Sequence, residues 1–178
     1  MEPLEIVERL KEKYFSEIVN VTQFREQVFV SVKSDRITDI CRYLHDEPDI
    51  HMDFLADICG VDYPGRKYRF EVLYNLYSIK FRHRLIVKAL LTEEDPNINS
   101  VVPIWNGANC HEREACDMYG IIFHGHPDLR RILMPEDWEG FPQRKDYPLK
   151  GREDWEYKGF EECKELHNHD KEWNIQAS

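Results

Sequence analysis

The chain is 178 residues long and carries 24 Lys and Arg against 34 Asp and Glu, a formal net charge of −10. That balance argues against nucleic-acid binding, which draws its affinity from clustered Lys and Arg, and against direct docking on an anionic lipid surface. Hydrophobic residues at 42% suffice for a core, but the longest aliphatic run, Leu85-Ile86-Val87, stops at Lys88 and predicts no direct transmembrane insertion.

The first residues, MEPLEIVERLKEKY, are amphipathic and lack the apolar stretch of a secretory signal. Leu4, Val7, Leu10 and Tyr14 recur at helical spacing and predict a helix over Pro3–Tyr14. Glu17 to Phe24 and Gln27 to Lys33 alternate and predict a hairpin turning at Arg25-Glu26. Ser34 or Asp35 is placed to cap a helix running to His45, with Ile37, Ile40, Cys41 and Leu44 inward. Met52 to Val61, Arg69 to Ile79 and Arg84 to Thr92 read as strands, with a turn at Asp62-Tyr63-Pro64-Gly65. The order α-β-β-α-β-β-β predicts an α+β, two-layer domain over 1–95, with helices on one face of a mixed sheet. Five cysteines (Cys41, Cys59, Cys110, Cys116 and Cys163) are an odd, scattered set and predict reduced thiols in a cytosolic-type compartment.

After Glu93 the character changes. Pro96 and Pro103 bracket a short turn or helix at Asn99 to Trp105. Asn109 is placed to cap a short helix over Cys110 to Tyr119, with Glu112 as the partner in a capping box and Gly120 as its stop. Four prolines (Pro127, Pro135, Pro142 and Pro148) then forbid a long helix or central strand, so 96–150 reads as a helix plus a long extended arm. Residues 151–178 form an acidic tail with Trp155, Tyr157, Phe160 and Trp173, expected to be extended and partly helical near Glu161 to His167.

Three kinds of chemistry are testable on this stretch. Glu112 falls on the apolar side of its helix with Ala108, Ala115, Tyr119 and Ile122. A buried carboxylate needs a cation or several donors. It therefore reads either as an acid–base group with a raised pKa or, preferably, as a structural ion pair with an Arg from the following loop or a partner. Arg113 and Asp117 lie four apart and are spaced to pair. His111, His124 and His126 with Glu112 suggest a metal enzyme, but no H-E-x-x-H or zinc-spaced Cys pair supports it, and the same holds for Cys163, His167 and His169. No G-x-S-x-G, phosphate loop or G-x-G-x-x-G is present, and Cys110 beside His111 is no dyad. What remains is recognition: Arg130, Arg131, Met134, Trp138, Phe141, Arg144 and Tyr147 are residue types that concentrate at protein–protein interfaces, and an extended arm of them fits a partner's surface. Packing back on the chain's own domain is the competing reading.

The runs Glu112-Arg113-Glu114, Asp117-Met118-Tyr119-Gly120, His126-Pro127-Asp128-Leu129-Arg130-Arg131 through Pro135, Trp138-Glu139-Gly140 and Arg144-Lys145-Asp146-Tyr147-Pro148 closely resemble the 30-kDa (C) subunit family of NADH:quinone oxidoreductase, respiratory complex I. Asp53-Phe54-Leu55, Val61-Asp62-Tyr63-Pro64 and Trp105-Asn106-Gly107-Ala108-Asn109 extend the likeness over most of 17–150.

The resemblance implies a non-catalytic subunit of the peripheral arm, clamping others while electrons pass from NADH to quinone. It implies no cofactor in this chain, with FMN, iron–sulfur clusters and quinone held by partner subunits. The implied partners are the hydrogenase-like large subunit that forms the quinone site and neighbouring iron–sulfur subunits, which would hold the chain peripherally at the cytoplasmic side of the membrane. Glu112, Arg113, Glu114, Asp117, Tyr119, His126, Asp128, Arg130, Arg131, Pro135, Trp138, Arg144, Lys145, Asp146 and Tyr147 are the partner-binding or structural residues it points to. Alternatives are the equivalent subunit of a membrane-bound hydrogenase, formate hydrogenlyase or reduced-deazaflavin dehydrogenase, or an exposed assembly factor. Cys110 and Cys116 stand where the family usually has large rings, and Phe141 and Gln143 where it has His and Leu, so packing around the helix is expected to differ.

Overall fold

Alternation along the strands decides the architecture. In β4 (Phe70–Tyr77) every second residue, Phe70, Val72, Tyr74 and Leu76, is fully buried, while the residues between are only partly so. One face of the sheet is therefore core and the other meets solvent. The structure, a computed structural model, describes residues 2–149. The expectations for the 151–178 tail, including Cys163, His167 and His169, lie outside the described residues. Residues 2–147 make one compact unit.

Strands β1 (Ile18–Phe24), β2 (Gln27–Lys33), β3 (Phe54–Asp62), β4 and β5 (Arg84–Leu91) form one sheet in the order β1-β2-β5-β4-β3. Only β2 and β5 are parallel, so the sheet is mixed. The central strand β5 reads RLIVKALL and is buried on both faces over most of its length, as a near-continuous apolar run should be. Arg25 and Glu26, with φ of 48° and 66°, make the two-residue turn of the first hairpin.

Helices α1 (Pro3–Tyr14) and α2 (Ile37–Asp46) cover the core face. The buried stripe of α1 is Ile6, Val7, Leu10 and Tyr14; Leu4, expected inside, is half-exposed and Ile6 takes its place. Helix α2 is preceded by a 3-10 turn over Ser34–Arg36, and neither Ser34 nor Asp35 caps it with a side chain. Strand β3 starts two residues later than expected, because the Met52 N–H is already bonded to the Leu44 carbonyl at 2.9 Å.

A pair of three-residue strands, β6 (Asn97–Asn99) and β7 (Ile122–His124), run parallel beside helix α3 (Ala108–Tyr119). The expected turn or helix over 99–105 is thus part strand and part turn, with the Val101 carbonyl accepting from Ile104 and Trp105. Helix α3 begins before Asn109: its cap residue is Gly107, so the expected Asn109 capping box does not form. Ile122 is not on the helix face but half-exposed in β7. Gly120 ends α3 as expected, with φ +73° and its N–H on the Cys116 carbonyl at 2.8 Å.

Candidate functional site

The arm after His124 is not free. Three successive backbone N–H groups, of Ile132, Leu133 and Met134, donate to one Asp117 oxygen at 3.1, 2.9 and 2.8 Å. The other oxygen pairs with the Arg131 guanidinium. Burial alone would push this carboxyl up, but the backbone donors and Arg131 more than offset it and hold it below the usual range. Arg131 then reaches the Trp138 and Gly140 carbonyls at 3.0 and 3.3 Å. Arg113 does not pair with Asp117; it donates to the Arg130 and Arg131 carbonyls, both at 3.0 Å. Two residues of α3 thereby fix the arm's backbone with charge-assisted bonds, the stronger kind.

A second anchor lies where β3 and β4 meet. Arg69, almost fully buried, bonds Asp62 at 2.9 and 3.2 Å and Asp146 at 2.8 Å, and also pairs with Glu93. Hydrogen bonding to Asp62 is the main reason the Arg69 pKa is raised. Asp62 accepts in addition from the Lys145 N–H at 2.8 Å. Its burial is outweighed by Arg69 and this amide, so its carboxyl also sits below the usual range. Arg144 donates to the Tyr119 carbonyl at 2.6 Å and lies 4.5 Å from the Phe141 ring centre and 5.0 Å from that of Phe70.

Close approach explains three glycines. A Cβ on Gly60 would fall 2.5 Å from the Tyr119 ring, one on Gly120 would fall 2.5 Å from Phe141, and one on Gly140 would fall 2.7 Å from Tyr147. The Tyr147 ring stacks on Trp138 at 6.2 Å between centres, and its hydroxyl donates to the Glu139 carbonyl at 3.2 Å. The Pro135 carbonyl closes a turn by accepting from Trp138 at 3.1 Å. His126 accepts from the Asp128 N–H at 3.0 Å and donates to the Asn109 carbonyl at 3.1 Å, a pattern that fits the Nε2–H tautomer. Asp128 and Arg130 form an exposed ion pair at 2.9 Å.

Glu112 is fully buried, and among the described residues no arginine pairs with it. Its Oε1 accepts from the Val101 N–H at 2.7 Å, and the Ser100 hydroxyl bonds it as well. The expected Arg partner is absent because α3 turns this residue toward the Ser100-Val101 backbone rather than toward the arm. Burial outweighs both hydrogen bonds and pushes its pKa up to about 7. Glu114, two residues further along the helix, is exposed.

The suggested metal set is not assembled. His111 pairs with Asp57 at 3.3 Å, His126 is engaged as above, and Glu112 is in the core. Among the described residues no three His, Cys, Asp or Glu side chains converge on one metal position. Cys110 is exposed and Cys116 half-buried, its thiol pushed up by burial and by Asp117.

The arm's anchors Asp62, Arg69 and Glu93 and the close-contact residue Gly60 are not among the site residues expected from the sequence. A lone glycine inside the alternating β3 pattern was the available signal, since it marks close approach of another group.

Residues 30–153 match the family described as respiratory-chain NADH dehydrogenase, 30 Kd subunit. The chain belongs to that family. It is 49% identical over 148 residues to the NADH-quinone oxidoreductase C subunit of Roseiflexus sp. (strain RS-1), covering 83% of this chain and 85% of the relative. The corresponding C subunit of Geotalea uraniireducens (strain Rf4) is 47% identical over 151 residues, covering 85% and 91%. Among solved structures, a trypsin-resistant fragment of Nqo5 superposes with a TM-score of 0.63 at 30% identity, covering 72% of this chain and all of the fragment. A chain of an archaeal membrane-bound sulfane sulfur reductase shares the fold, with a TM-score of 0.68 at 22% identity, covering 89% of this chain and 97% of that one. The 30-kDa family match takes in both Asp62–Arg69 and the whole described arm.

Proposed function

We propose that this 30-kDa family member is a non-catalytic peripheral-arm subunit of a proton-translocating NADH:quinone oxidoreductase, and that it clamps the quinone-site and iron–sulfur subunits together while electrons pass from NADH to quinone. The observation that carries this reading is the arm's internal fastening. Asp117 and Asp62–Arg69 hold its backbone, so Arg130, Ile132 and Leu133 are presented outward from fixed positions. Leu133 is 58% exposed on this fastened loop. A surface ordered before binding loses less entropy on docking, which is what a clamp requires.

The partners of this reading are the hydrogenase-like large subunit and the neighbouring iron–sulfur subunits. FMN, the clusters and quinone reside in those partners. No helix among the described residues is long and apolar enough to cross a membrane. In this proposal the chain is held peripherally, on the cytoplasmic side, by its partners. A relative at 49% identity bears the name of the NADH-quinone oxidoreductase C subunit, which supports this machine over the related hydrogenase, formate hydrogenlyase or deazaflavin complexes.

The test is native-gel purification from source membranes, with mass spectrometry of what co-migrates. The expected result is a large assembly that contains the hydrogenase-like subunit and oxidises NADH with quinone. Recovery of the chain alone, or with hydrogenase or formate-oxidising subunits, would overturn the reading.

A further inference from the structure

Two hairpin turns lie side by side at one end of the sheet, because β2 and β5 are parallel neighbours that start there. One turn carries Phe24, Arg25 and Glu26; the other runs from Ser78 to His83 between β4 and β5. Between them is a groove of about 610 Å³ whose lining includes Arg25, Arg82 and Arg84 together with Tyr77, Phe81 and Ile86. It is the opposite end of β4 from the Arg69 anchor, about 25 Å away at the rise of an extended strand. The groove is thus distinct from the arm.

Its charge is out of keeping with the chain. The molecule carries −10 overall, yet Arg25, Arg82 and Arg84 gather here, and none of them is in an ion pair within the described residues. Two acidic side chains also line the groove. Glu2 and Glu26 together leave the three guanidiniums one positive charge in excess. Arg25 and Arg82 are held with φ of 48° and 57°, left-handed conformations that are uncommon for arginine. Large apolar side chains flank the cations: Phe24 is 63% exposed and Phe81 37%. Arg25 lies over the Phe24 ring at 5.2 Å and Lys80 over Phe81 at 4.7 Å. Cations beside exposed rings, around a groove with a partly apolar lining, are the composition of an interface centre.

We infer that this groove docks an acidic segment of a neighbouring subunit, with two or more carboxylates meeting Arg25, Arg82 and Arg84 and an apolar or aromatic side chain against Tyr77, Phe81 and Ile86. Arginine suits the task because its planar fork meets a carboxylate through two hydrogen bonds. A concave groove fits a peptide side chain better than it fits the flat surface of a lipid bilayer. The groove would give the clamp a second contact, a strand's length from the arm. The inference rests on the subunit reading above.

The experiment places the photo-crosslinking residue p-benzoylphenylalanine at position 81 of the full chain, in cells that make the native complex. The complex is irradiated, separated on a native gel and digested for mass spectrometry. The expected product joins position 81 to one peptide of another subunit that holds at least two Asp or Glu. Its yield should fall at least fivefold in the triple variant Arg25→Asn, Arg82→Asn, Arg84→Gln. Asn tolerates the left-handed conformation of the first two sites, so these changes remove charge without adding backbone strain. Crosslinks to lipid, to a second copy of this chain or to a peptide without acidic residues would overturn the inference, as would no crosslink above background or a yield indifferent to the triple variant. The same gel shows whether the chain is in the complex at all, so failure of the subunit reading is seen separately from failure of the groove.

Discussion

Asp117 shows how a single carboxylate can organise a loop that has no apolar core of its own. It is fully buried as a side chain and answers three N–H groups and a guanidinium. Asp117→Ala leaves those donors unpaired, and breaking a buried pair in this way costs about 3–5 kcal/mol. The expected outcome is a lower urea midpoint together with faster amide exchange at residues 132–134; unchanged exchange there would contradict the fastening role. Sequence spacing suggested Arg113 as the partner of Asp117, and the competition explains why it is not. An exposed helical pair is worth about 0.3–0.5 kcal/mol, whereas a buried carboxylate must find several donors or incur a larger penalty. The residue types of this centre were legible in the sequence. The donors were not, because backbone N–H groups from a loop about fifteen residues away leave no mark in composition or period.

At the scale of elements, the contact of α3 with the edge strand β3 depends on Gly60. Alanine there would set a Cβ against the Tyr119 ring. Gly60→Ala is therefore expected to destabilise the unit by about 1–3 kcal/mol, the usual cost of overpacking, read as a lower thermal midpoint; pairing it with Tyr119→Leu should recover part of the loss. Arg69→Ala strands Asp62 beside Glu93 and Asp146. Exchange at the Lys145 amide, bonded to Asp62, should then quicken, while protection in α1 and α2 is retained apart from the global loss of stability. Strands β2, β3 and β4 and the first two helices were readable because their burial follows periods of 2 and 3.6, and β5 because its apolar run is nearly continuous. The β6–β7 pair was not, since three residues are too few to show a period. The arm's path was not either: its sequence announces side chains fit for contact, and the same arginines and rings serve inward and outward contacts alike.

For the molecule as a whole, pH separates two kinds of buried carboxyl. Asp62 and Asp117 titrate below their ordinary value of 3.8 in the fold. Their stabilisation is present above the unfolded value and is lost as pH falls through their lowered values. Glu112 has the opposite sign, being raised from 4.5 to about 7 by burial. Stability is thus lost as pH climbs from about 4.5 to 7, by on the order of 3 kcal/mol. Urea midpoints measured across this range are expected to peak near about pH 5, and Glu112→Gln should remove most of the decline above it. A decline that persists in Glu112→Gln would show that another group is responsible.

The proposed clamp would be a property of the assembly, and the most direct measurement compares two quantities in variants of the arm's outward face. Arg130→Glu and Leu133→Asp alter exposed side chains and leave the Asp117 and Asp62–Arg69 anchors in place. The amount of assembled complex per cell and the NADH:quinone turnover per assembled complex are read on the same membranes. A clamp predicts about tenfold less assembled complex, the consequence of losing roughly 1.4 kcal/mol at an interface, with turnover per complex nearly unchanged. Full assembly with turnover lost would contradict it and move these residues into the chemistry.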